Sequence, residues 1–195
     1  MSDTRIKDAT GSGYGARVDM NNRLQTRAAS LGMADQRGLD GYGYTLNTGN
    51  ITLTDGSESA VAYLKYTGSL RLHVDAVVVG IGALSGTVSN VAYLTGVRNP
   101  TGGTVISGAS PGDMNINRNF GSANSLSADF YKGAQGNTVT GGEDGLFAHL
   151  NGSSRIFAPT NFVLAPQASI GINAQLNSTG GGVLFVSFVC YEEED

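Results

Sequence analysis

His73 and Asp75 are the first residues whose types and spacing invite a chemical reading. They stand two apart in LRLHVDAVVVGIG, residues 70–82. In an extended strand that spacing puts both side chains on one face. Such a pair could supply two metal ligands, an orienting His–Asp couple, or two polar groups on the wet side of a half-buried strand. Zinc needs three or four ligands from convergent elements, and no third ligand stands at close spacing, so the solvent-facing pair is the expectation. His149, in LFAHL, reads as an ordinary strand residue. Serines are plentiful, but no G-x-S-x-G elbow occurs. Glycoside hydrolysis would need two carboxylates about 5–9 Å apart, and the sequence proposes none. The expectation is a protein that is not an enzyme, with no catalytic residue, no metal and no cofactor.

The glycine-rich stretches give no phosphate site. GIGALSG at 80–86 follows an apolar strand, but its spacing is G-x-G-x-x-x-G, and the following TVSNVAYL is β-branched. The helix N-terminus that holds a pyrophosphate in the dinucleotide fingerprint is therefore missing, and a turn between strands is expected. GSGYG at 11–15 has no strand before it and no Lys-Ser or Lys-Thr after it, which is linker chemistry. TDGSE at 54–58 and GGEDG at 141–145 are acidic turns with too few oxygens for a calcium loop. Cys190 sits in VLFVSFVCY and is expected to be a buried free thiol, in a chain made in a reducing cytoplasm.

The elements that must position any site are strands. Gly, Ser, Thr and Asn make up 78 of 195 residues, and only 14% are charged. Helical bundles and coiled coils need Ala, Glu, Lys, Leu and Arg in bulk, and disordered chains need high charge with few aliphatics. Short β-type runs recur at 51–54, 61–66, 70–82, 91–97, 146–150, 155–158, 162–165, 169–177 and 182–190. Strands at this spacing imply a sandwich or barrel. The 99–142 stretch exceeds ordinary loop lengths, which suggests a surface role. Within it only TVI at 104–106 and SADFYKG at 127–133 look like strands.

Four regions follow. Residues 1–37 form a polar N-terminal arm with half the chain's Lys and Arg: Arg5, Lys7, Arg17, Arg23, Arg27 and Arg37. ARV at 16–18 and RLQTR at 23–27 read as a hairpin, with a helix over 23–38 as the alternative. Residues 38–50, rich in Gly and Asn, read as a linker. Residues 51–191 are the β body, with VLFVSFV in a central, doubly covered strand. Glu192 to Asp195 carry the whole net charge of −4 and read as a solvated acidic tail. The basic excess of the arm is too small for a nucleic-acid binder, and no apolar run reaches the ~18 residues of a membrane span.

The opening IKDATGSGYGARVDMNNRLQTRA resembles a segment at the start of many tailed-bacteriophage virion proteins, where D-x-x-G-S-G precedes A-[RK]-V-D-x-N-N-R-L. YLKYTGSLRLHVDAVVV at 63–79 and LAPQASIGINAQ at 164–175 are similar to segments of phage head decoration (cement) and head-fibre proteins with a jelly-roll body. The resemblance implies an all-β, antiparallel jelly-roll-like sandwich with an extended N-terminal arm, carried on the virion. The expected function is capsid decoration: the protein binds the assembled major capsid protein shell and stabilises it. The six basic residues of the arm would contact that shell. A tail- or fibre-associated protein that binds a host receptor or glycan is the alternative, using Tyr42, Tyr44, Phe130 and Tyr131 in or near loops. A homotrimer is expected, because 14% charge is low for a fully exposed surface and the resembled proteins sit at three-fold positions.

Overall fold

The computed structural model describes residues 6–7, 15–18, 24–25, 32–54, 56–84, 91–107, 110–111, 115–151, 155–176 and 181–193. The chain divides into two compact units, residues 1–32 and 33–195. In the first, β1 (Ile6–Lys7), β2 (Gly15–Val18) and β3 (Leu24–Gln25) form an antiparallel sheet in that order. Ile6 stands opposite Ala16, and Arg17 opposite Gln25. The expected hairpin is present as β2 and β3, with β1 added. Of the helix weighed over 23–38, the described residues show α1 (Met33–Leu39), in the second unit, while Leu24–Gln25 are strand.

The second unit is a two-sheet antiparallel β-sandwich. Eight stretches make its frame: β4 (Gly43–Asn47) with β5 (Ile51–Leu53), β6 (Ser59–Tyr66), β7 (Arg71–Leu84), β8 (Val91–Arg98), β12 (Glu143–Asn151), β13 (Arg155–Leu164), β14 (Ser169–Leu176) and β15 (Gly182–Glu193). The first stretch pairs with the last, the second with the seventh, the third with the sixth and the fourth with the fifth, all antiparallel. The frame is thus one long two-stranded ribbon, turned back on itself between β8 and β12. Rolling the ribbon adds two pairings, β15 with β7 and β14 with β8. One sheet then reads β4-β15-β7-β13 and the other β12-β8-β14-β6.

The connection at 99–142 is built into this frame. It carries α2 (Thr104–Ser107), β9 (Ser110–Pro111), β10 (Asn115–Asn117) and β11 (Ala128–Lys132). β10 extends the first sheet beyond β4, and β11 with β9 extends the second beyond β6. The ends of the connection are pinned by a bridge between Gly102 and Thr140 and by Val105 N donating to Thr138 O at 3.3 Å. Ile106 and Val139, with Tyr131, then pack over Ala60, Tyr63 and Val105 as a small second core. Pro111 sits in the outermost strand, where a missing N–H costs least.

The main core lies between the sheets. β15 supplies Leu184, Val186, Phe188 and Cys190 from alternate positions, and β6 supplies Val61, Leu64 and Tyr66. β7 changes phase at Asp75: Val74 stands opposite Cys190, but Ala76 stands opposite Val189. Before this bulge Leu72 and Val74 join the main core; beyond it Val77, Val79 and Ile81 do. That shift explains why the run reads apolar almost throughout. Phe130 of β11 meets Phe188 edge-on at 5.8 Å between ring centres, a favoured aromatic geometry.

Four sequence expectations are corrected. Residues 38–50 are not a linker: they hold the end of α1 and β4, and Tyr44 and Leu46 are buried. Tyr44 and Leu46 alternate inward among residues whose small polar types mask the pattern. TVI at 104–106 is helical, not a strand. The runs at 155–158 and 162–165 are one strand, interrupted by a bulge after Pro159 that an edge position tolerates. The acidic tail is not wholly a tail, since β15 runs through Glu192 and Glu193. The β15 strand is central, as expected, but Val183, Phe185, Val189 and Tyr191 on its outer side are only half-buried.

Candidate functional site

Three places in the sandwich gather polar or accessible side chains. The first is a buried clasp at one end of the core. Glu192 of β15 is 8% exposed and lies between two fully buried tyrosines, one from each sheet. Tyr66 donates its hydroxyl to Oε1 at 2.8 Å, and Tyr44 donates to Oε2 at 3.3 Å. Burial, and then the Glu192 charge and its hydrogen bonds, push both phenols well above their ordinary range. Cys190 points into the same region, with Sγ 3.7 Å from the Tyr44 carbonyl oxygen. Burial, helped by Glu192 and opposed by Arg118, pushes its thiol up to about 12. A thiol held protonated in this way is a poor nucleophile and a poor ligand. The clasp joins the two sheets through its hydrogen bonds.

The second grouping surrounds His73. Its ring stacks on Tyr191 at 4.8 Å between centres, and Nε2 lies against a Glu193 carboxylate oxygen. Burial, with Glu193 and Asp75, pushes the Tyr191 hydroxyl up. Asp75, like His73, is half-buried beside the buried Val74 and acts on Tyr191, so the two stand on one side of β7 as their spacing predicts, and the change of phase comes beyond Asp75. Among the described residues no group of three or more His, Cys, Asp or Glu could hold a metal ion. His149 lies in β12 opposite Tyr93.

The third is a cleft of about 390 Å³ at the edge of the sandwich where β13 and β12 end the two sheets. Phe162, Leu164 and Ile170 give it apolar walls, and Gly96 opens space on β8. Val163, 50% exposed, stands at its edge. Arg98 and Glu143 on the rim form an ion pair, with Asp144 beside them. Sequence reading missed this cleft, because its walls come from four strands, β8, β12, β13 and β14, that belong to two different sheets and meet only in the fold.

The six basic residues expected on the arm are not one set. Lys7 and Arg17 lie in β1 and β2 of the small unit. Arg5, Arg23 and Arg27 fall outside the described residues. Arg37 belongs to α1 of the body, with its guanidinium 5.6 Å from the centre of the Tyr42 ring. The loop aromatics are also redistributed. Tyr44 is in the core, Phe130 packs against it, and Tyr131 stacks on Tyr63. Among the described residues no helix is long and apolar enough to cross a membrane.

No protein-family model matches the chain, and no curated protein matches it.

Proposed function

We propose that this is a virion structural protein, a capsid decoration protein of a tailed bacteriophage that binds the assembled major capsid protein shell and stabilises it. The observation that carries this reading is the division of the chain. Residues 1–32 are one compact unit, and among its described residues three short strands form a sheet. Residues 33–195 are a second unit, the sandwich. Among the described residues its strands are two to four residues long, and so small a sheet needs an apolar face or a surface to pack against, which suits it to folding down on a partner surface. Its basic residues Lys7 and Arg17 suit an acidic one. A ligand that binds only the assembled shell stabilises it by mass action.

We read the strand order as a jelly roll, since a ribbon rolled so that its ends meet, with sheets 1-8-3-6 and 2-7-4-5, is the arrangement of that fold. The receptor- or glycan-binding alternative has less support: of Tyr42, Tyr44, Phe130 and Tyr131, the last three are occupied in packing, and Tyr42 lies under the Arg37 guanidinium.

The test is attachment to shells of the parent phage. Full-length protein should cosediment with assembled shells and raise their melting temperature. A version lacking residues 1–32 should stay folded and fail to bind. Undiminished attachment by the truncated protein would remove the arm from the mechanism, and absence of binding by the full chain would remove the capsid.

A further inference from the structure

Phe120 is 90% exposed, far more than any other large apolar side chain of the described residues. It is not on a loose loop. Asn119 caps it on both sides: its Nδ2 donates to the Leu39 carbonyl at 2.8 Å, and its Oδ1 accepts from Gly121 N at 3.1 Å. Arg118 N donates to Gly43 O, and Ser122 N to Asn119 O, at 2.8 and 2.9 Å. Asn117 reaches both Gly41 O and Asn124 O through its amide nitrogen, at 2.8 and 2.9 Å. A phenyl ring held out into water on so constrained a backbone loses little conformational freedom on binding. That is the property of an interface anchor.

The same molecule carries a hole at its other side. The Phe120 loop follows β10, one end of the first sheet, and the cleft is walled by β13, the other end. Four strand spacings, roughly 19 Å, separate those strands. A dry cavity of about 150 Å³ lined by Leu, Ile and Phe holds a benzene ring. The cleft of about 390 Å³, walled by Phe162, Leu164 and Ile170, has room for a benzyl group and the backbone that carries it. Charge does not oppose the contact: Arg118, two residues before Phe120, pairs with Asp35 at 3.9 Å, and on the cleft rim Glu143 pairs with Arg98.

We propose that Phe120 of one copy enters the cleft of a second copy, so that the protein associates head to tail. A knob and a hole on different surfaces make a heterologous contact, which closes into a ring when the rotation between copies allows. The contact joins two sandwich bodies and does not need a capsid. It supplies the trimer expectation with a mechanism, yet its failure would leave attachment through residues 1–32 intact.

The experiment is analytical ultracentrifugation of the full chain between 1 and 200 μM, with three variants. Phe120→Ala removes the knob at a site too exposed to matter for folding. Val163→Asp puts a charge at the cleft mouth. Gly145→Leu fills the cleft from a position where a Cβ meets nothing nearer than the Gly96 carbonyl oxygen at 3.9 Å. The wild type should form one closed species, and each variant should weaken association by about thirtyfold or more. Mixing Phe120→Ala with Gly145→Leu leaves one good knob and one good hole, so the mixture should form dimers and nothing larger. A single-chain mass for the wild type at 200 μM would overturn the proposal. So would unchanged association of Phe120→Ala, or a mixture in which no dimer appears.

Discussion

At the scale of single residues, the Glu192 clasp is where this protein departs most from the rule that cores are apolar. A carboxylate there is tolerable because two phenols, one from each sheet, donate to it. Tyr66→Phe keeps the ring and removes the shorter bond, leaving Oε1 without that donor. Destabilisation of about 1–3 kcal/mol is expected, read from urea unfolding at neutral pH; a change under about 0.5 kcal/mol would mean water replaces the phenol. Cys190 carries a pH dependence whose sign can be stated. In the unfolded chain its thiol ionises near 9, in the folded protein near 12. Between those values the folded state keeps a proton that the unfolded state has lost. Its contribution is therefore complete below about pH 9 and is lost as pH rises to 12, at up to about 1.4 kcal/mol per pH unit. The phenols of Tyr44 and Tyr66 act in the same direction from pH 10 upward. Unfolding of wild type and Cys190→Ala at pH 8 and pH 11 separates the terms: the wild type should lose more. Parallel losses would assign the alkaline decline to other groups.

At the scale of elements, the 99–142 connection behaves as structure. It closes on itself at Gly102 and Thr140, and its strands lengthen both sheets. The pinch depends on two glycines in left-handed or wider backbone. Gly103 has φ of 122°, and a Cβ there would run into the Thr138 carbonyl. Gly142 has φ of 87°, with the Arg98 carbonyl in the same position. Gly142→Ala should cost about 1–3 kcal/mol, measured as a drop in the denaturant midpoint with an unchanged slope. If the midpoint does not move, the base of the connection is softer than its hydrogen bonds imply. Edge strands invite pairing with other chains, and here short additions such as β9 and β10 occupy the outer positions on one side.

At the scale of the whole molecule, the two-unit division makes a prediction that does not depend on any partner. Removing residues 1–32 should leave the sandwich with its far-UV β spectrum and its melting temperature within a few degrees. Loss of cooperative unfolding in the truncated chain would show that the small unit is part of the body's stability. The frame pairs the first strand with the last, so most of its contacts are distant in sequence. Refolding on the slow side for a domain of this size follows, since loop closure must precede the contacts that reward it.

The sequence by itself determined the class: β-branched runs between glycine-rich turns exclude a helical core, and the strands at 61–66, 91–97, 169–177 and 182–190 stand within a few residues of where they were expected. It located Cys190 in the core, because a lone thiol in an unbroken apolar run has nowhere else to go. What it could not reveal follows from pairing. β4 was hidden among Gly, Thr and Asn, because two inward residues are too few to show a period. Glu192 read as solvated because charge belongs outside unless a partner is supplied, and its partners, Tyr44 and Tyr66, are 148 and 126 residues away. The cleft exists only once the ends of the two sheets meet, and the Phe120 loop is held by residues near 40 that are distant in the chain. Local pattern sets which residues can face inward; only the rolled ribbon decides what each one meets there.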